Sequence, residues 1–234
     1  MKLKQLPTLL YPAVFLVKKN PALRYMLSIV ALIVVCVLSL ISYWQITAIF
    51  KDDFDRADPE PVWSASGWDV VEGKLHSDIS GYGEVLTKKA FPQESYTLAS
   101  SVKGLASGSA ATLTDNIHVV FGADESGHGY RLAYYPSFNA RLELSYRDAG
   151  ASGEIQERVL ASTSFKAEPE SWYRLEIKRD GALGLIRIYL AKEGMAGTPL
   201  LEVVDNTSRA LGHIGWGVER ESPGEVHVDW VVAR

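Results

Sequence analysis

The chain has a single cysteine, Cys36, and it lies inside an apolar run. Disulfides within the chain, thiol nucleophiles outside that run and zinc sites of the Cys2His2 type are therefore excluded. Acidic residues are absent from the first fifty positions, which hold five cations: Lys2, Lys4, Lys18, Lys19 and Arg24. The 184 residues that follow carry the remaining 19 basic residues and all 28 acidic ones, a formal charge of 19 − 28 = −9. Phosphate backbones require clustered Lys and Arg, so nucleic acid is not expected as a partner of this acidic body. Long amphipathic helical stretches are missing from the body too, although 184 residues suffice to bury a substantial core.

Familiar catalytic signatures are also missing. There is no His-Glu-x-x-His helix and no Gly-x-Ser-x-Gly elbow. Gly81-Tyr82-Gly83 and Gly215-Trp216-Gly217 lack the third glycine and the following helix of a dinucleotide fingerprint. No two of His76, His118, His128, His213 and His227 lie at i, i+2 or i, i+4, so scattered surface histidines are expected.

One long hydrophobic run is present. Residues 25–50 carry no charge, and fourteen of the 26 are Leu, Ile, Val or Phe. As a helix they would span about 39 Å at 1.5 Å per residue, against about 30 Å of hydrocarbon. Insertion gains on the order of 6 kcal/mol. The five cations precede the run and Lys51-Asp52-Asp53-Phe54-Asp55 follows it, so the positive-inside rule places the N-terminus in the cytoplasm. Tyr25, Tyr43 and Trp44 are the expected interfacial anchors. The run is too long for a signal-peptide core and no Ala-x-Ala-like site follows it, so an uncleaved signal anchor is expected. Residues 1–24 read either as a cytoplasmic tail or as a segment lying on the inner membrane surface or on a partner subunit. The expected division is a tail at 1–24, a transmembrane helix at 25–50 and an extracytoplasmic domain at 51–234.

That domain alternates with period 2. Ile117, Val119 and Phe121, then Tyr130, Leu132 and Tyr134, then Tyr173, Leu175 and Ile177, and finally Val226, Val228 and Trp230 each form one face of a strand. Turn signals such as Asp148-Ala149-Gly150, Arg179-Asp180-Gly181 and Ser222-Pro223-Gly224 separate the runs. Eleven to thirteen strands are expected. Without helices to cover an apolar sheet face, a second sheet must do so, which predicts an all-β, antiparallel jelly-roll sandwich.

The order of Asp52-Asp53-Phe54-Asp55-Arg56, Trp63, Trp68 to Leu75, Gly129-Tyr130-Arg131-Leu132, Trp172 to Ile177, Gly212-His213-Ile214-Gly215 and Val226 to Val232 resembles the concanavalin A-like lectin/glucanase superfamily. Within it the pattern looks like the laminin-G-like and 3-keto-disaccharide-hydrolase-like bacterial domains. The resemblance covers about residues 50–234 and implies that the first and last strands lie together. Glucanases of that superfamily carry Glu-x-Asp-x-x-Glu on one strand, and no such motif occurs here. Glu202-Val203-Val204-Asp205 puts its two acids on opposite faces of a strand.

The resemblance further implies a glycan-binding sheet face, for which Arg131, Tyr135, Arg141, Tyr146 and Trp216 are the candidates. Each also suits a structural role, and Tyr146 stands in register with Leu142 and Leu144. Asp53 and Asp55, with Asp229 from the last strand, are candidate Ca²⁺ ligands, the alternative being a solvated linker. The expectation is a non-catalytic, membrane-anchored extracytoplasmic module: an accessory subunit of an energy-converting, secretory or transport complex, or a binding domain. Its expected partners are membrane lipid, neighbouring subunits and glycan. The alternative is a glycoside-processing enzyme of the cell envelope using carboxylates such as Glu219 or Asp229.

Overall fold

The computed structural model describes residues 21–47, 50–60, 62–91, 93–105, 115–126, 128–137, 139–150, 154–195, 197–206, 212–221 and 224–234. The chain divides into two units, Met1–Ala48 and Ile49–Arg234. The expected tail at 1–24 lies, up to residue 20, outside the described residues.

The first unit contains α1, Pro21–Thr47. Pro21 suits the first helical position, where no N–H partner is needed. Tyr25, Ile29, Leu32 and Val35 are exposed. The side chains of Tyr43 and Trp44 lie outside the described ones, and the longest unbroken run of described side chains in α1 is 28–37. Among the described residues, no helix is long and apolar enough to cross a membrane.

The second unit is built of strands. In chain order they begin with β1 (Phe50–Asp52), β2 (Trp63–Ser66), β3 (Asp69–Val71), β4 (Lys74–Ser77) and β5 (Gly81–Thr87). Next come β6 (Tyr96–Lys103), β7 (Asn116–Ala123), β8 (Gly129–Tyr135), β9 (Arg141–Ala149) and β10 (Ile155–Ser164). The last are β11 (Tyr173–Asp180), β12 (Leu185–Lys192), β13 (Leu201–Val204), β14 (His213–Arg220) and β15 (Val226–Ala233). The eight-stranded sheet runs β13-β12-β11-β6-β15-β4-β3, with β1 also on β15. The seven-stranded sheet runs β10-β9-β8-β7-β14-β5-β2. Every pairing is antiparallel, and β1 pairs with β15 as the resemblance implies.

The fifteen strands among the described residues exceed the expected eleven to thirteen because β1 to β4 have only three or four residues, too few to show a period. Phe50, expected at the end of the membrane run, instead opens β1, with its ring edge-on to Trp63 and Phe91.

The core lies between the sheets and draws on both. Leu175 and Ile177 of β11, Ile117 and Val119 of β7, and Leu142 and Leu144 of β9 are all buried in one cluster. The expected face Val226, Val228, Trp230 holds only for its first two members. A bulge between Val228 and Trp230 leaves Asp229 without a partner on β6. Beyond it Val231 and Ala233 face the core, while Trp230 is half-buried beside Arg174. A one-residue insertion reverses every later side chain, and periodicity alone does not reveal it.

Candidate functional site

Alternation along the seven-stranded sheet decides what faces away from the core. With Ile117 and Val119 inward, Asn116 and His118 of β7 point outward. On the same face lie Arg131 and Tyr135 of β8, Arg141, Ser145 and Arg147 of β9, Glu219 of β14, and Tyr82 and Glu84 of β5. All of these but Arg141 are joined by hydrogen bonds and ion pairs, and Arg141 joins them through the Tyr135 ring.

Arg131 is its centre and is 2% exposed. Its Nη2 donates to Asn116 Oδ1 at 2.5 Å, and its Nη1 donates to Tyr135 OH and to Glu157 Oε1, each at 3.3 Å. Glu219 Oε2 lies 3.5 Å from the guanidinium and accepts from Asn116 Nδ2 at 3.1 Å. The Ser145 hydroxyl donates to Glu157, which also accepts from Arg147 Nε at 3.2 Å. Tyr135 carries the Arg141 guanidinium 4.0 Å above its ring.

His118, 1% exposed, links this centre to β5. Its Nδ1 lies 2.8 Å from Asn116 Oδ1 and its Nε2 lies 3.4 Å from Glu84 Oε2. Glu84 also accepts from Tyr82 OH at 2.5 Å. The link must cross β14, and it does so over Gly217, where a Cβ would stand 2.1 Å from His118 Nε2. Only a residue without a side chain lets the imidazole reach across.

The electrostatics follow from burial and these partners. Burial works to raise the Glu84 carboxyl, but hydrogen bonds from His118 and Tyr82 outweigh it and hold the pKa below the ordinary value. Burial likewise opposes, and Ser145 with the charges of Arg131 and Arg147 overcomes, so that Glu157 is lowered too. Burial, then the bond to Glu84, pushes the Tyr82 phenol up to about 12. Burial pushes His118 down to about 4, against the hydrogen bond to Glu84 and with help from the Arg131 charge.

A neutral imidazole has one N–H for its two acceptors. In the unfolded chain His118 takes up a proton near pH 6.5, but in the folded chain only near pH 4. Unfolding therefore binds a proton, and stability falls as pH drops from about 6.5 to about 4, by roughly 3 kcal/mol at 1.36 kcal/mol per unit. Urea titrations at pH 7.0 and 4.5 should show this fall in the wild type and lose most of it in His118→Asn. An equal slope in both would remove His118 as the cause.

Three of the five expected binding residues, Arg131, Tyr135 and Arg141, are thus brought together. The other two are not. Trp216 is 2% exposed on the core face of β14, and Tyr146 is edge-on to the buried Tyr130 and packs against the core. The flanking Gly215 and Gly217 lie on the outer face of β14 and Trp216 on the inner. The expected surface histidine at 118 is buried. Tyr82, Glu84, Asn116 and His118 were not singled out, because choosing them requires knowing that β14 sits between β5 and β7.

The three expected Ca²⁺ ligands are not gathered. Among the described residues, no group of three or more His, Cys, Asp or Glu is placed to hold a metal. Asp53 pairs with Lys51 at 2.6 Å, Asp55 is exposed, and Asp229 occupies the β15 bulge. Neighbouring Asp52 is consumed internally: its carboxylate takes Arg56 at 2.6 and 2.8 Å, Trp63 Nε1 at 2.6 Å and the Phe54 N–H at 2.9 Å.

No protein-family profile matches the chain, and no curated protein matches it in sequence. Solved structures do match in fold. The carbohydrate binding module CBM66 from Bacillus subtilis superposes with a TM-score of 0.54 at 16% identity, over 72% of this chain and 94% of that one. A Lotus tetragonolobus seed lectin gives 0.60 at 9% identity, over 79% and 96%. The exoplasmic/lumenal domain of VIP36, in a Ca²⁺/Man3GlcNAc-bound form, gives 0.58 at 10% identity, over 76% and 86%. The chain therefore shares the two-sheet sandwich fold of these structures. At these identities the likeness concerns fold alone.

Proposed function

We propose that this protein is a non-catalytic, membrane-anchored binding module that holds a saccharide on the outer face of its seven-stranded sheet. The carrying observation is the Arg131 network. A buried guanidinium surrounded by carboxylates costs desolvation and adds little to stability compared with apolar packing. Such a cluster on the solvent side of a sheet is better explained by what it holds in place. It fixes the carboxylate edges of Glu219, whose side chain is 50% exposed, and of Glu157, while Tyr82 presents a ring that is 53% exposed. Fixed acceptors for hydroxyl protons, beside an exposed aromatic ring, suit a polyhydroxylated ligand and lower the ordering cost of binding. The structural neighbours described as a carbohydrate-binding module and as lectins support this reading.

Binding without hydrolysis is supported by the carboxyls themselves. The Glu-x-Asp-x-x-Glu strand of glucanases does not occur in the sequence, and Glu84 and Glu157 of the network are both held below the ordinary carboxyl value. The anchor is supported by the uncharged run 25–50 and by the exposed apolar side chains of α1. The charge asymmetry around that run supports a single pass through the inner or plasma membrane, with the N-terminus cytoplasmic and the sandwich periplasmic or extracellular.

Spheroplasts displaying the full chain should retain members of a glycan panel, and external protease should remove both the C-terminal domain and that retention. Arg131→Met should lower retention at least tenfold with the β-sheet circular dichroism unchanged. Release of free sugar by the wild type, lost in Glu219→Gln, would reverse the non-catalytic assignment.

An accessory-subunit role has one observation on its side. Strand β10 is a ten-residue sheet edge, mostly exposed, with Ile155 and Val159 each 54% exposed. An open edge of this kind can pair with a strand of a neighbouring subunit.

A further inference from the structure

The body is acidic overall, yet one of its clefts carries cations. A cleft of about 570 Å³ lies where β9 begins and β10 ends, lined by Asn139, Ala140, Arg141, Ser162, Thr163, Ser164, Phe165 and Lys166. Two cations, three hydroxyls and one amide line it, and beside them Glu143 pairs with Arg141 at 3.2 Å, so that Lys166 is the cation left over. In a domain of formal charge −9 that single uncompensated cation reverses the sign locally.

Arg141 is held ready. Its Nε is engaged by Glu143 at 3.2 Å and its plane rests on Tyr135, so binding costs it little rotamer freedom. Lys166 is exposed and, among the described residues, has no carboxylate partner. Ser162 and Ser164, on the same sheet face as Arg141, can each donate one hydroxyl proton to an anion.

Tyr135 joins this cleft to the network, since it carries Arg141 and hydrogen-bonds Arg131. From Glu219 on β14 to Arg141 on β9 there are three strand spacings, roughly 14 Å. A ligand reaching from one to the other is an oligosaccharide rather than a single sugar.

We infer that the cleft at Arg141, Ser162, Ser164 and Lys166 takes the carboxylate of an acidic saccharide whose neutral hydroxyls occupy the Arg131 face. This rests on the saccharide reading above and adds the ligand's charge to it. The test uses calorimetry on the full chain in detergent micelles, with an oligogalacturonide tetramer and its fully methyl-esterified counterpart as probes. Both have the same rings, and only the first is charged.

The wild type should bind the acid at least tenfold more tightly than the ester, and the preference should shrink as salt rises. Lys166→Gln should weaken the acid about fivefold and leave the ester unchanged, while Lys166→Arg should keep the preference. Equal affinity for acid and ester would overturn the anionic subsite and leave the saccharide face standing. Binding of neither probe would overturn this inference, and failure of the whole glycan panel as well would remove the saccharide reading with it. An unaltered acid preference in Lys166→Gln, with its fold intact, would also overturn the assignment of the cleft.

Discussion

Replacing Trp216 with alanine should destabilise the sandwich by about 3–5 kcal/mol, measured as a fall in the urea midpoint with an unchanged slope. Trp216 is among the largest fully enclosed side chains of the core. It borders a small void of about 20 Å³ shared with Val102, Ile117, Val119, Leu142 and Leu175. Sheets on both sides of that void are pinned by hydrogen-bonded neighbours, so collapse around a missing indole is limited. Gly215 and Gly217 flank it and bring no side chain of their own to the interior. Since domains of this kind are stable by about 5–15 kcal/mol, the loss would be a large share of the total. Trp216→Phe should recover much of the stability and keep glycan retention at the wild-type level. A selective loss of retention in the phenylalanine variant, with stability intact, would return Trp216 to the ligand face.

Asp52→Ala should cost about 3–4 kcal/mol, because three donors lose one acceptor. Removing one partner of a buried ion pair strands the other. Arg56 is 25% exposed at its side chain, which moderates its share. The Trp63 indole N–H has no such relief, since Trp63 is fully buried. Phe54 also depends on this carboxylate: its backbone sits at φ 52°, a left-handed conformation unfavourable for a bulky residue, and Asp52 accepts its N–H.

The pH dependence has a definite sign. Burial works to raise the Asp52 carboxyl, but the bonds from Arg56, Trp63 and Phe54 hold it below its ordinary value. A depressed carboxyl contributes fully above the unfolded value and loses its contribution as pH falls through the folded one. Melting curves taken below pH 4 should therefore drop less in Asp52→Ala than in the wild type, the remaining fall coming from Glu84 and Glu157. This window lies beneath that of His118, so the two groups give separable steps.

Much of the sandwich could be read from side-chain alternation. Tyr173, Leu175 and Ile177 are all buried on one face of β11, as their spacing predicts. Alternation fails where the backbone breaks step, at the β15 bulge and at the register shift in β10 between Val159 and Ala161. It is also blind to β1 through β4, where length rather than chemistry hides the strand. The site divides the same way. Arg131, Tyr135 and Arg141 are reachable through the resemblance, and the pairing of β8 with β9 puts all three on one face. The remaining members are contributed by β5, β7 and β14, whose neighbours in space are distant in the chain, with |i−j| of 103 for Asn116 and Glu219. No local pattern encodes that adjacency.

The missing methyl at position 217 has a practical use as a marker. Any sandwich of this architecture with bulk at that point must turn its imidazole aside and leave the outermost strands unwired from the guanidinium. A bare backbone there, opposite a histidine, would therefore sort domains with a rigid, pre-set recognition surface from those whose exterior is only a coat of solvated charges.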